Sequence, residues 1–163
     1  KFFTKLQELV SSAPGSVVKR TFALLRKIPS KAVNQILVDI FGRATGKLKI
    51  EVLGLIAERG IREIVPELVE IIKPVKIWEQ EREVQLQVYA CNALGILRAA
   101  EAEDALIAAA QVPKPWTLLK PKPEPVRIAA IKALKNLPPD EKIANLFESL
   151  KKDKSPAVRK TVG

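Results

Sequence analysis

The sequence predicts an all-α protein made of about five stacked helix–turn–helix repeats. Two observations carry this prediction. Apolar residues recur at helical spacing along nearly all of the 163 residues, and no window shows the strict alternation of a half-buried strand. One amphipathic segment also recurs at intervals of about 30 to 40 residues, a period typical of repeat architectures. With 47% hydrophobic residues, the chain has ample material for a core.

Short runs rich in Gly, Pro and Ser separate the apolar stretches and mark where helices are expected to end. These breakers are SSAPGS (11–16), IPS (28–30), GRATG (42–46), RG (59–60), KPVKIWEQ (73–80), QVPKPWTLLKPKPEP (111–125), LPPD (137–140) and DKSP (153–156). They divide the chain into about nine helical segments.

The clearest repeat aligns VRIAAIKALKNL (126–137) with LQVYACNALGIL (86–97). The alignment places alanine on alanine at two positions and leucine on leucine at two more. Further copies begin at Val17, Leu48 and Val158, so the repeat accounts for the whole chain. Small alanines let neighbouring helices approach closely, and the apolar face of each helical pair is expected to be buried by stacking against the next.

The segments PEPVRIAAIKALKNL (123–137) and SPAVRKTVG (155–163) resemble the V-R-x-x-A-x-x-A-L pattern of HEAT-like repeats, in the bacterial group that includes the phycobiliprotein-lyase type. The resemblance implies a right-handed α-solenoid with residues 1–163 forming one repeat domain. It implies no particular reaction. Because the chain starts at Lys1 and stops inside a repeat, we expect it to be a fragment of a longer array.

Two turns within the repeats are expanded, and each contains one of the two tryptophans. Trp78 lies in PVKIWEQERE (74–83), and Trp116 lies in the segment 111–125. We favour an interpretation in which each indole folds back over the core between repeats while the prolines stiffen the loop. The alternative is an exposed edge that binds a partner. The lysines expected around that edge are Lys73, Lys76, Lys114, Lys120 and Lys122.

A second candidate site is defined by the repeat position that Arg127 occupies. The position of Arg127 is occupied in the other copies by Val18, Lys49, Gln87 and Arg159, and basic residues such as Lys132 are expected to be exposed on the same helices. The net charge of +10 is concentrated in the two terminal thirds, so these helices are expected to form a basic track for an acidic peptide or a nucleic-acid backbone. The resemblance instead implies that the arginine pairs with an acidic residue of the neighbouring repeat.

The composition excludes several catalytic designs. The chain has no histidine and a single cysteine, Cys91, which removes Ser-His and Cys-His pairs, mixed Cys-His metal sites and internal disulfides. We expect Cys91 to be a small packing residue in a helix. The acidic group Glu79, Glu81 and Glu83 is expected to form a solvated turn before a helix.

Together these features predict a non-enzymatic scaffold that binds a protein partner, possibly an acidic one, and that needs no cofactor. One alternative is sequence-independent binding of nucleic acid or another polyanion. The other is a component of a lyase-like or DNA-repair-like HEAT enzyme. No long apolar run or leader is evident, so we expect a soluble, cytoplasmic protein without a membrane partner.

Overall fold

The computed structural model describes residues 5, 8, 12 and 14–163. Within these residues the chain forms nine α-helices and no strand, so the prediction of an all-α protein is confirmed for the part described. The helices are α1 (Gly15–Lys27), α2 (Lys31–Arg43), α3 (Gly46–Glu58), α4 (Val65–Ile72), α5 (Val84–Ile96), α6 (Glu103–Ala110), α7 (Glu124–Leu134), α8 (Glu141–Leu150) and α9 (Pro156–Val162). Most of the predicted breakers fall between these helices; the first of them, at 11–16, lies partly outside the described residues.

The chain divides into two compact units, residues 1–63 and 64–163. The single repeat domain expected from the sequence therefore stays a prediction. In the first unit α2 packs against α3, and the buried side chains include Leu37, Phe41 and Leu53. Ser30 caps the start of α2, where its hydroxyl accepts a hydrogen bond from the Ala32 amide.

The second unit holds α4 to α9. Helix α5 packs against both α4 and α7, and α7 packs against both α6 and α9. Helix α4 also contacts α6. The segments that the sequence alignment identified as copies of one helix, in α5, α7 and α9, are thus neighbours in sequence order.

Small residues let α5 and α7 approach closely. Ala90, Ala93, Ala130 and Ala133 are all buried, as the alignment led us to expect. The tightest contact is at Gly95, where an added Cβ atom would lie 2.9 Å from the Cα atom of Ala133. Because that neighbour is backbone, the contact can be relieved only if the helices move apart.

We expect Gly95→Ala to lower the free energy of unfolding by about 1–3 kcal/mol, the usual cost of overpacking a core. This cost exceeds the gain of about 0.5–1 kcal/mol from replacing a helical glycine with alanine. The matched control is Gly54→Ala in α3, where an added Cβ atom would meet nothing within 4 Å, so that variant should be slightly more stable. Urea unfolding of both variants measures the difference, and two variants of equal stability would contradict the close approach.

Candidate functional site

Two loops of the second unit pair with each other. We call them insertion 1 (residues 73–83), between α4 and α5, and insertion 2 (residues 111–123), between α6 and α7. Lys76 and Leu119 form an isolated antiparallel bridge. The Ile77 amide donates to the Leu118 carbonyl at 2.9 Å, and the Lys120 amide donates to the Val75 carbonyl at 2.8 Å. The two expanded turns are therefore joined to each other by backbone hydrogen bonds.

Lysine side chains add further links across this pairing. The Nζ atom of Lys76 donates to the Thr117 carbonyl at 3.1 Å, and the Nζ atom of Lys120 donates to the Glu79 carbonyl. Each lysine thus reaches from its own insertion to the main chain of the other. These contacts help to offset the conformational entropy that the two loops lose when they become ordered.

Insertion 2 owes its shape to local turn chemistry. Residues Pro115–Thr117 form one turn of 3-10 helix, and the Thr117 hydroxyl donates to the Lys114 carbonyl at 2.7 Å. Leu118 follows in the left-handed conformation with φ 53°, which is unfavourable for a residue with a side chain. The backbone of Leu118 accepts the hydrogen bond from Ile77, so the pairing with insertion 1 holds this turn in place.

A buried ion pair also joins the two insertions. The Nζ atom of Lys122 lies 2.8 Å from Oε1 of Glu81, and the Lys122 side chain is 0% exposed. Gln87 of α5 is also buried, and its Nε2 atom donates to the same Glu81 oxygen and to the Arg82 carbonyl. Glu81 therefore connects insertion 1, insertion 2 and α5.

Two sequence-based expectations are wrong at this ion pair. Lys122 was expected on the rim of an exposed binding edge, but it is buried because its ammonium group is paired with Glu81. Glu81 was expected in a solvated turn, but only 21% of its side chain is exposed. Glu79 and Glu83, by contrast, are exposed as expected.

Cys91 lies on α5 and is fully buried. Burial raises the pKa of the Cys91 thiol from its ordinary value of 9.0 to about 12, and the positive charge of Lys122 opposes the rise. The thiol is therefore protonated at neutral pH. This burial agrees with the packing role expected from the sequence.

Both tryptophans are exposed. Trp78 is 68% exposed and Trp116 is 74% exposed, so the favoured interpretation, in which the indoles fold back over the core, is wrong. The backbone pairing and the lysine contacts, rather than indole packing, hold the insertions together. Residues after Lys76 and residues before Leu119 lie at the same end of an antiparallel bridge, which places the two tryptophans at that end.

Other apolar side chains on the insertions are exposed as well. Together with the tryptophans they form what we call the apolar set: Ile77, Trp78, Val112, Trp116 and Leu118. The three aliphatic members were not predicted from the sequence, although the positions of Ile77 and Leu118 within two residues of a tryptophan were an available signal. Large exposed apolar groups that cluster on a surface are typical of interaction sites.

Near the apolar set is a recess of about 220 Å³. It lies between the two insertions and the end of α6, and Lys114 lines it. The same Lys114 places its Nζ atom 5.3 Å from the centre of the Trp116 ring. The lining residues are Pro74, Ala108, Gln111, Val112, Pro113, Lys114, Thr117 and Leu119.

We expect Trp78→Ala and Trp116→Ala each to change the free energy of unfolding by less than about 1 kcal/mol, because each removes little buried surface. Phe41→Ala is the matched control, since Phe41 is 0% exposed and its loss should cost about 3–5 kcal/mol. Urea unfolding gives the free energies. Acrylamide should quench both indoles in the isolated protein, and a protected, stabilising indole would contradict their placement.

The proposed basic track is wrong at Arg127, which is only 6% exposed. Val18 and Gln87, the uncharged residues at the same position of other copies, are also buried. The Arg127 guanidinium contacts both carboxylate oxygens of Asp153, and its Nε atom donates to the Ala110 carbonyl at 2.8 Å. Arg127 is therefore paired with an acidic residue, as the resemblance implied, and it is not available to a surface ligand.

The remaining basic candidates differ in their surroundings. Lys132 is exposed on α7. Arg159 is exposed but donates to the carbonyls of Asp153 and Lys154 in the turn before α9. Lys49 is half-buried, with its Nζ atom 4.2 Å from the centre of the Phe41 ring. Lys73 is exposed and lies 3.5 Å from a carboxylate oxygen of Glu70.

The described residues offer no evident metal site, because no three His, Cys, Asp or Glu side chains among them are grouped to hold an ion. A larger cavity of about 640 Å³ adjoins insertion 1, lined by acidic and basic residues together, among them Glu70, Glu79, Lys73 and Arg82. None of the helices in the described part combines the length and the apolar character that a membrane span needs.

Comparison with known proteins does not place the chain in a family. The sequence matches no protein-family model and no curated protein. The resemblance to HEAT-like repeats therefore stays an expectation, and the functional argument depends on the geometry of the insertions.

Proposed function

We propose that this protein is a non-enzymatic scaffold of HEAT-like repeats, arranged as an α-solenoid, that binds a partner protein through the apolar set. The observation that carries the proposal is the exposure of both tryptophans, 68% and 74%, on loops that are hydrogen-bonded to each other. Tryptophan contributes large contact area at little entropic cost and is enriched among the residues that dominate protein interfaces.

The pairing of the insertions supports this proposal energetically. A loop that orders only on binding offsets part of its contact energy with lost entropy. Here the bridge between Lys76 and Leu119 and the two lysine-to-carbonyl hydrogen bonds order the loops beforehand. A partner therefore meets a preformed surface.

The proposal also accounts for the two expanded turns. Helical repeats need only short turns between their helices, so loops of this length exceed what stacking requires. Loops that display apolar side chains on a rigid helical framework are common binding elements. The successive contacts of α5, α7 and α9 supply such a framework in the second unit.

Affinity capture from an extract of the source cells tests the proposal. The immobilised chain is compared with the double variant Trp78→Ala/Trp116→Ala and with the control double variant Leu24→Ala/Ile96→Ala, whose side chains are 64% and 61% exposed elsewhere on the protein. A protein that binds the wild-type chain and the control but not the tryptophan variant supports the proposal. Equal capture by all three proteins would refute it.

A further inference from the structure

We infer that the segment bound by the apolar set is an acidic peptide with an apolar anchor side chain. This inference rests on the proposed function and adds the chemistry of the partner. Three features of the insertions support it: their excess of positive charge, the recess between them and their exposed apolar set.

The two insertions differ in their charged residues. Insertion 1 holds three basic and three acidic residues, whereas insertion 2 holds three lysines and no acidic residue. Of those three lysines, Lys122 is neutralised by Glu81. The charges of Lys114 and Lys120 are not, because neither forms an ion pair with a carboxylate among the described residues.

Hydrogen bonds hold two of the basic residues, Lys76 and Lys120, in place. The ammonium groups of Lys76 and Lys120 donate to main-chain carbonyls, which are neutral. Their positions are thereby fixed. Glu79 offsets part of their charge, because its carboxylate accepts a hydrogen bond from the Lys76 amide at 2.8 Å, but the lysines remain in excess. Lys114 lies over the ring of Trp116, so a third cation adjoins the apolar set. A fixed cluster of cations attracts carboxylates and rejects basic segments.

The recess suggests how an apolar anchor would fit. Its volume of about 220 Å³ is below the roughly 300–1,000 Å³ of sites that hold small-molecule ligands. Its lining includes Pro74, Val112, Pro113 and Leu119, with Lys114 also at the recess. A single large apolar side chain suits such a recess, and a carboxylate beside it would meet Lys114.

A simple polyanion matches these features less well. Nucleic acid and heparin are held chiefly through charge, and they would leave the aliphatic members of the apolar set exposed. An anionic bilayer would cover the apolar set but would provide no side chain for the recess. An acidic peptide with an apolar anchor uses the charge, the recess and the apolar set together.

Peptide titration against the full chain tests the inference. The probes are four peptides of equal length: one with leucine and phenylalanine among glutamates, one with glutamines in place of the glutamates, one with lysines there, and one that keeps the glutamates but has serine at the apolar positions. We expect the acidic apolar peptide to bind roughly tenfold or more tightly than the other three, with its affinity falling as salt rises. Its binding should also shift the tryptophan emission to shorter wavelength.

Variants identify the site. Lys114→Gln should weaken binding of the acidic apolar peptide several-fold while leaving the glutamine peptide unaffected. Lys132→Gln removes an exposed lysine on α7 and should change neither. Equal affinity for the glutamate and glutamine peptides, or no binding of either, would overturn the inference.

Two further probes cover the other ligands. The inference would be overturned if heparin bound the chain with the same dependence on Trp78 and Trp116 as the acidic apolar peptide. It would also be overturned if vesicles of phosphatidylcholine and phosphatidylserine bound the chain and none of the peptides did. These failures differ from failure of the proposed function. Tryptophan-dependent capture of a protein without acid preference leaves that function standing, whereas capture that is independent of both tryptophans removes it.

Discussion

Arg127→Met is expected to lower the free energy of unfolding by about 3–5 kcal/mol, because it leaves the carboxylate of Asp153 buried without its partner. The side chains of both residues are 8% exposed, and the guanidinium contacts both oxygens of the carboxylate. The substitution also removes the donor to the Ala110 carbonyl at the end of α6. Arg127 thereby links α6, α7 and the turn before α9, and urea unfolding measures the loss.

Two control variants separate charge from packing at this position. Lys132→Met replaces an exposed basic residue of the same helix, α7, and should change the free energy of unfolding by less than about 0.5 kcal/mol. The double variant Arg127→Met/Asp153→Leu removes both charges and should recover most of the stability, since an apolar pair can replace a buried ion pair. If the double variant is as unstable as Arg127→Met alone, the unpaired carboxylate is not the cause.

The ion pair between Arg127 and Asp153 also predicts that the free energy of unfolding depends on pH in acid. The hydrogen bond from Arg127 holds the pKa of Asp153 below its ordinary value of 3.8. A carboxyl group with a lowered pKa in the folded state contributes stability that is fully present above its unfolded pKa and is lost as the pH falls through the folded pKa. The wild-type chain should therefore lose this contribution only below about pH 4, and Arg127→Met should lack that component of its acid unfolding.

Helix positions were predictable because local chemistry determines them. The breakers at 28–30, 42–46 and 137–140 each separate two helices, as expected from residues that disfavour helix interiors. The alanines of the repeat alignment, such as Ala90 and Ala130, are buried because the alignment compares positions on one helical face. Both results depend on residues close together in the sequence.

The candidate site was less predictable because it depends on contacts between distant residues. Placing the tryptophans in two related turns was possible from the sequence. Their exposure was not, because it follows from the bridge between Lys76 and Leu119, which are 43 positions apart in the numbering. Lys122 and Lys114 also look alike in the sequence, and only the position of Glu81 makes one buried and leaves the other exposed.

Glu81→Leu is expected to lower the free energy of unfolding by about 3 kcal/mol, because it leaves the ammonium group of Lys122 buried without a carboxylate. The matched control is Glu83→Leu, two residues further along, where the side chain is exposed and the cost should be below about 1 kcal/mol. The double variant Glu81→Leu/Lys122→Met should recover much of the loss. Urea unfolding provides all three values.

The effect of Glu81→Leu should also be local. Lys122 and Glu81 also join the two insertions, so the loss of their ion pair should loosen the bridge between Lys76 and Leu119 and speed hydrogen exchange of the Ile77 and Lys120 amides. A looser pair of loops must be ordered again on binding, so affinity for a partner should fall although no residue of the apolar set has changed. Unchanged hydrogen exchange at these two amides would show that the backbone bridge holds the insertions together without the ion pair. The ion pair would then stabilise only the contact with α5.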